Sequence, residues 1–434
     1  MKNVFVMGMD ERNREMLEST PTGRECRFHP LLSIEELQHG EIDIEQTLDA
    51  ARAVLDGFDG TVDAIVGYRD FPITLLVPIL CAERGLPAPE LDSVVKCEHK
   101  YWSRHLQSQV TDAHPPFSLV DLDADAPEHG LEYPLWLKPI KSASSELAYR
   151  VEDDQGFRAA VERIRRSIDR IGRPFESILE RVDLPSKVAE AGRHHCLAEG
   201  ALHGVQAAAE GYVYGGEVTV YAVLDSVDFP GNPSFLRHQY PSGLPDEVQK
   251  RIRQASEDVI EQHGLDNSTF SVEFFYDPLQ DDLGIVEINP RHSQSHAALF
   301  ELVDGVANHE RMLRMALGED PALSDRDKGE FSVAAEWYHR RFRDGVVTRV
   351  PTEKEVKELE DSMTGVTIHI VPSVGQRLSE MIAQDSYSFE LAKIVIAGAD
   401  ELEMQAKYER CVKGLRFEFE DESGAGRIEG VTRS

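Results

Sequence analysis

The chain has 434 residues, 41% of them hydrophobic, with 78 acidic against 46 basic side chains and a formal net charge of -32. That length exceeds what one hydrophobic core organises efficiently, so two or three packed domains are expected, and the composition is globular and not disordered. Acid this strong argues against nucleic-acid binding, which needs clustered Lys and Arg to release counterions from phosphates.

In chain order, Val4 to Met7, ending at Gly8, reads as a first buried strand and is too short and too soon charged for a secretory leader. A second buried run, Val62 to Val66, and helices at Ile44 to Leu55 and Ile73 to Arg84 predict a small parallel sheet with helices around it. The apolar run Ile73 to Leu80 contains Pro78 and cannot span a bilayer. Gly85 to Pro89 breaks the periodicity and marks a hinge.

From Lys96 to Gly318 the pattern turns mixed. A helix is expected at Lys100 to Val110, a strand at Pro134 to Pro139 and a helix at Gln155 to Ile171. Strands follow at His195 to Glu199, Gln206 to Val213 and Glu217 to Asp225, then a helix at Pro245 to His263 and strands at Phe270 to Tyr276 and Gly284 to Ile288. A charged, turn-rich stretch from Gly318 to Gly329 precedes strands near Phe331 to Tyr338, Val366 to Val371 and Ile394 to Ile396, and a helix at Glu401 to Lys413. The division expected is 1–95 as a small α/β domain, 96–320 as an α+β core and 321–434 as a C-terminal α+β domain.

Five cysteines, odd in number and without metal-ligand spacing, read as reduced thiols in a cytoplasm. Only 13 residues are lysine, so each lysine in a protein that must hold an anion is informative. The acid excess fits either a salt-rich cytoplasm or a merely acidic protein of a mesophile.

The chemistry concentrates in Ser271 to Ser295, SVEFFYDPLQDDLGIVEINPRHSQS. Two strands joined by a turn at Pro278 to Gly284 would bring Glu273 and Glu287 face to face, and alternation would aim Glu287, Asn289 and Arg291 to one side. Two carboxylates and an amide oxygen are hard ligands suited to Mg²⁺, and Arg291 offers a planar fork for a phosphate or carboxylate. Acid and amide on an otherwise apolar strand are costly unless ligated.

EINPR, preceded by VEFFYD, resembles the metal-binding end of the ATP-grasp superfamily, which includes biotin carboxylase and amino-acid ligases. The resemblance implies an ATP-grasp fold of mixed α/β and α+β class, with a small parallel-sheet domain before the core and an α+β domain after it. It places Glu273, Glu287 and Asn289 on Mg²⁺ or Mn²⁺. It places Lys138, in PLWLKPIKSASSE, and Lys100, in CEHKYWSRHL, on the ATP phosphates, with Lys141 able to share that role. The small-residue run carrying Ser142, Ser144 and Ser145 is similar to the loop that closes over the phosphates. Glu199 with Ala201 and Leu202 matches the adenine hinge, and the ribose position falls on Gln206, where the family usually has Glu; Glu210, read first as part of a surface turn, is the fallback. Arg291 and Arg237 are the basic residues expected near the transferred phosphate or acyl acceptor. His238 and His292 read as loop or surface histidines, and His339 to Arg343 as a basic cluster that lines a pocket or pairs with neighbouring acids.

The function implied is an ATP-dependent ligase that activates a carboxylate as an acyl phosphate for attack by an amine, releasing ADP and phosphate. Its partners would be small-molecule carboxylate and amine substrates, with no nucleic acid or membrane and a homodimer left open. The alternatives are a carboxylase acting on bicarbonate, for which the chain has no biotin-acceptor sequence, and a catalytically silent nucleotide-binding protein.

Overall fold

The computed structural model describes residues 1–38, 40–124, 126–142, 147–232, 234–323, 329–381 and 387–420. They divide into two compact units: Met1–Val223 with Leu244–Gln294 and Asn308–Leu323, and Leu224–Gly243 with Ser295–Ala307 and the described part of Ser324–Ser434.

In the first unit, strands Cys26–Leu31, Lys2–Met7 and Ala64–Val66 form a parallel sheet in that order. Val4 to Met7 and Ala64 to Val66 are buried without alternation, as expected of a parallel sheet covered on both faces. Helix Ile73–Arg84 has the predicted bounds and stops where Gly85 takes φ +63°. Across the Gly85–Pro89 break the chain enters helix Leu91–Glu98, whose start the periodicity did not signal, and then helix Lys100–Gln107.

A four-stranded antiparallel sheet follows, ordered Phe117–Asp121, His195–Gly200, Leu135–Pro139, Tyr149–Val151. Along Leu135–Pro139 the odd positions are buried, which turns Trp136 and Lys138 to the other face. The helix expected to end at Ile171 is two helices, Asp154–Ser167 and Asp169–Leu179, and Pro174 in the second cannot donate a backbone bond.

The third sheet of this unit runs Asp282–Asn289, Ser268–Asp277, Val205–Tyr214 and the start of Glu217–Asp228. One face carries Val272, Phe274, Ile285 and Ile288, buried with Ile252, Val259 and Ile260 of helix Asp246–His263. The other face is therefore left to Glu273, Glu287 and Asn289. Register pairs Glu273 with Glu287, then jumps to Phe274 with Ile285, so Val286 is the extra residue of a bulge.

The second unit has antiparallel strands in the order Leu224 to Asp228, Phe235–Tyr240, Val333–Arg341, Phe389–Gly398, Val366–Ile370. Its core joins Trp337, Ile394 and Ile396 to Met404 and Cys411 of helix Glu401–Gly414. Within the basic cluster Arg340 pairs with Glu390 at 2.9 Å and Arg341 lies 3.9 Å from the Phe419 ring centre. All five cysteines are free and buried. Among the described residues no helix is long and apolar enough to cross a membrane.

Candidate active site

The face opposite the apolar one lines a cleft of about 510 Å³ in the first unit, bordered by Asp70, Glu98, Lys100, Arg104, Lys141, Ser142, Glu199, Glu287 and Asn289. Glu273 takes two amide donors, Gln206 Nε2 at 3.1 Å and Asn289 Nδ2 at 3.2 Å. Glu287 instead takes Lys100 Nζ at 3.1 Å, and that ammonium also reaches the Ser142 carbonyl at 3.4 Å. The two facing acids are consequently unlike. Desolvation, and after it the charge of Glu287, push Glu273 above the usual carboxylate range. Desolvation acts on Glu287 in the same sense, yet Lys100, Lys138 and Lys141 hold it well below that range.

The cations are tied to carboxylates from distant parts of the chain. Lys138 Nζ lies 2.8 Å from Glu199 Oε2, reached diagonally across adjacent strands. Arg104 binds the other oxygen of Glu199 and donates its Nη2 to the bulged Val286 carbonyl at 2.6 Å. Lys141 is buried against Glu98, which also accepts from Thr74 Oγ1 at 2.7 Å. Burial lowers the Lys141 ammonium to about 8, with Asp70 and Glu287 opposing. Arg291 Nε donates to Asp70 Oδ1 at 2.7 Å.

The structure thus gathers Lys100, Lys138, Ser142, Glu199, Gln206, Glu273, Glu287, Asn289 and Arg291 in one unit. Ala201 and Leu202 lie just past strand His195–Gly200; the Ala201 N–H donates to the Pro134 carbonyl at 3.1 Å, and Leu202 covers Gly284, where an added Cβ would come within 2.3 Å of its side chain. Ser144 and Ser145 lie outside the described residues. Arg237 belongs to the second unit, where its guanidinium sits 4.7 Å from the Trp337 ring centre and 3.5 Å from Glu401.

Two expectations are corrected. Glu210 is not in a surface turn: it is fully buried in strand Val205–Tyr214, accepting from Tyr221, Asn308 and the Ser293 N–H. His292 is not a surface histidine, because both its ring nitrogens are engaged in the interior. Three cleft residues were missed. Arg104 follows Lys100 by four positions, a spacing that sets both on one helix face and was available as a signal. Asp70 and Glu98 carried none, since only the tertiary fold brings them to the cleft.

Among the described residues no group of three or more His, Cys, Asp or Glu is disposed to hold a metal by itself. The donor set nevertheless suits Mg²⁺, which usually takes one or two carboxylates and completes its shell with substrate phosphates and water. Desolvation and, after it, the repulsion from Glu287 raise Glu273, and a bound cation would offset both.

The antiparallel sheet bears facing carboxylates with lysines and an arginine around them, and residues 131–297 match the ATP-grasp domain. The chain contains an ATP-grasp domain and has the ATP-grasp fold. Among solved structures it is similar to the L-amino acid ligase from Bacillus licheniformis, at 16% identity and a TM-score of 0.77, over 97% of this chain and 99% of that one. N5-carboxyaminoimidazole ribonucleotide synthetase from Thermotoga maritima matches at 14% identity and 0.63, over 97% and 100%. The biotin carboxylase domain of Hydrogenobacter thermophilus 2-oxoglutarate carboxylase, in complex with MgADP and bicarbonate, matches at 14% and 0.61, over 96% and 91%. No curated protein matches the chain.

Proposed function

We propose that the protein is an ADP-forming ligase that uses ATP and a divalent metal to convert a carboxylate into an acyl phosphate, which an amine then attacks. The observation that carries this reading is the pairing of Glu273 with Glu287, which borders a cleft together with Lys100 and Lys141, while Lys138 and Arg291 are ion-paired to the border residues Glu199 and Asp70. The ATP-grasp domain and the likeness in fold to an L-amino acid ligase support it, and small-molecule partners with them.

Glu273, Glu287 and the Asn289 side-chain oxygen would hold Mg²⁺ or Mn²⁺, which would neutralise phosphate charge. The remaining work falls to the chain's own side chains. Lys100, Lys138 and Arg291 set positive charge where the transferred phosphoryl group becomes more anionic, and phosphoryl transfer depends on such positioning more than on a protein nucleophile. Each of these cations is already fixed by a carboxylate, so little reorganisation is needed when substrate arrives. Ser142, with Ser144 and Ser145, is proposed for the phosphate loop; Glu199, Ala201 and Leu202 for adenine, with the Ala201 N–H already used; and Gln206 for ribose. Arg237 is proposed as a second catalytic cation on its sequence position.

Nucleotide analysis under turnover tests the reading. The expected products are ADP and phosphate, with a hydroxamate trapped by hydroxylamine when no amine is supplied. AMP and pyrophosphate as stoichiometric products would overturn the mechanism while leaving the fold untouched.

A further inference from the structure

The Arg291–Asp70 pair ties the segment Asn289–His292 to the loop Gly67–Asp70, and a second, buried tie joins the same two segments. It begins at Asp10, which takes Asn13 Nδ2 at 2.8 Å. A carboxylate can only accept, so the Asn13 oxygen must face His309, whose Nε2 donates to it across 3.0 Å. His309 Nδ1 then has to accept, and the 2.8 Å contact with His292 is donated by His292 Nε2. His292 Nδ1 accepts in turn from Thr269 Oγ1 at 3.1 Å, and that oxygen receives the His292 backbone N–H at 3.0 Å. One carboxylate thereby sets the tautomer of His309 and, through it, which ring nitrogen of His292 donates. The circuit closes on the other side, because Asp10 also takes the Tyr68 hydroxyl at 3.0 Å and Arg69 Nη2 at 2.8 Å, next to Asp70.

His292 and His309 are fully buried, and Thr269 is 4% and Asn13 7% exposed. Burial lowers His309 to about 4, which keeps it neutral at physiological pH. A buried hydrogen-bonded chain of this kind holds the segments it joins in one arrangement.

We infer that Asn13, His309, His292 and Thr269 form a relay that positions Arg291, the neighbour of His292, against Asp70 at the reaction cleft. They are positioning residues, and their part in turnover rests on the proposed ligase reading. The relay sets where the guanidinium stands relative to Glu273 and Glu287, and the Arg291 Nη1 donation to the His292 carbonyl at 3.1 Å couples the two residues directly.

The test uses the full chain and two isosteric changes, Thr269→Val and Asn13→Leu, with Thr269→Ser as the conservative control. Nitrogen-15 spectra of the wild type at neutral pH should show both histidines protonated on Nε2, with His309 neutral. Both apolar variants should move the Arg291 Nε–H resonance. With ATP and a mixture of twenty L-amino acids as probe, they should lower kcat for ADP release by about tenfold or more while the KM for ATP stays within about twofold, and Thr269→Ser should restore both. An Nδ1 tautomer at either histidine overturns the inference, as does an unchanged Arg291 resonance or an unchanged kcat in the folded variants. Should the wild type release no ADP with any acid while the relay signals appear as described, the ligase reading fails and the relay stands on its spectra.

Discussion

Charge pairs inside the cleft and charge pairs on the helix surfaces of the same unit are built from the same residue types but differ in every physical respect. On helix Asp246–His263, Lys250 pairs with Glu247 at 3.0 Å, with side chains 67% and 82% exposed. In the cleft, Arg104 and Lys138 share Glu199, whose side chain is 4% exposed, and Lys100 reaches a carboxylate 187 positions away. Surface pairs at helical spacing are screened by water and contribute little. The pairs on Glu199 have lost most of their hydration, so neither partner can be removed without stranding the other. Charge that is dispensable on the helix surface is therefore a positioning element in the cleft, and substitutions should separate the two populations sharply.

The largest effect is expected at Glu287. Glu287→Gln keeps the shape of the side chain but removes the charge facing Lys100 and a proposed metal ligand, and ATP turnover should fall by about 10³-fold or more, with the circular dichroism spectrum unchanged. Glu273→Gln should lose less, because Glu273 already has a raised proton affinity and two amide donors. Full activity in Glu287→Gln would remove the metal from the mechanism. Next comes Lys138→Ala, for which steady-state kinetics should show about 10²-fold lower kcat/KM for ATP. Wild-type kinetics would return that lysine to the class of Lys250.

Glu199 probes stability where Glu287 probes chemistry. Glu199→Gln leaves Arg104 and Lys138 without their common partner, and urea unfolding at neutral pH should show a loss of about 3–5 kcal/mol, the range for breaking a buried pair. The wild type offers the same test through pH. Burial alone would raise Glu199, but Arg104 and then Lys138 hold it at about 2, below its unpaired value of 4.5. Its folded value lies under its unfolded one, so its contribution is complete above 4.5 and drains away as pH falls toward 2. The acid limb of the stability curve should flatten in Glu199→Gln; an unchanged limb would mean that Glu199 is not held by the two cations.

What the sequence made legible follows the same line between local and tertiary information. Helix Ile73–Arg84 and the pairing of Glu273 with Glu287 are written in periodicity and in turn residues a few positions apart, and both are found as read. Asp70 and Glu98 gain meaning only when the fold carries them to Arg291 and Lys141, so no local pattern marked them. His292 and Glu210 were misread for a related reason: a polar residue defaults to the surface unless its partners are known, and the partners of these two are His309, Thr269, Tyr221 and Asn308.

The smallest effect expected is at Lys250, and its smallness is what gives the comparison content. Lys250→Ala removes an exposed ammonium from the outer face of helix Asp246–His263 and leaves Glu247 in water, where its hydration replaces the lost contact. Alanine is also a good helix former, so the backbone gains a little of what the pair loses. The net change in unfolding free energy should stay within about 0.5 kcal/mol, and kcat and the KM for ATP should match the wild type. The apolar face of this helix packs behind the sheet that carries Glu273 and Glu287, through Ile252, Val259 and Ile260. A kinetic effect from Lys250→Ala would therefore mean that surface charge is transmitted through that packing to the carboxylates. The separation between surface and cleft charge would then fail at its weakest point, and the stability loss in Glu199→Gln could no longer be assigned to the buried pair alone.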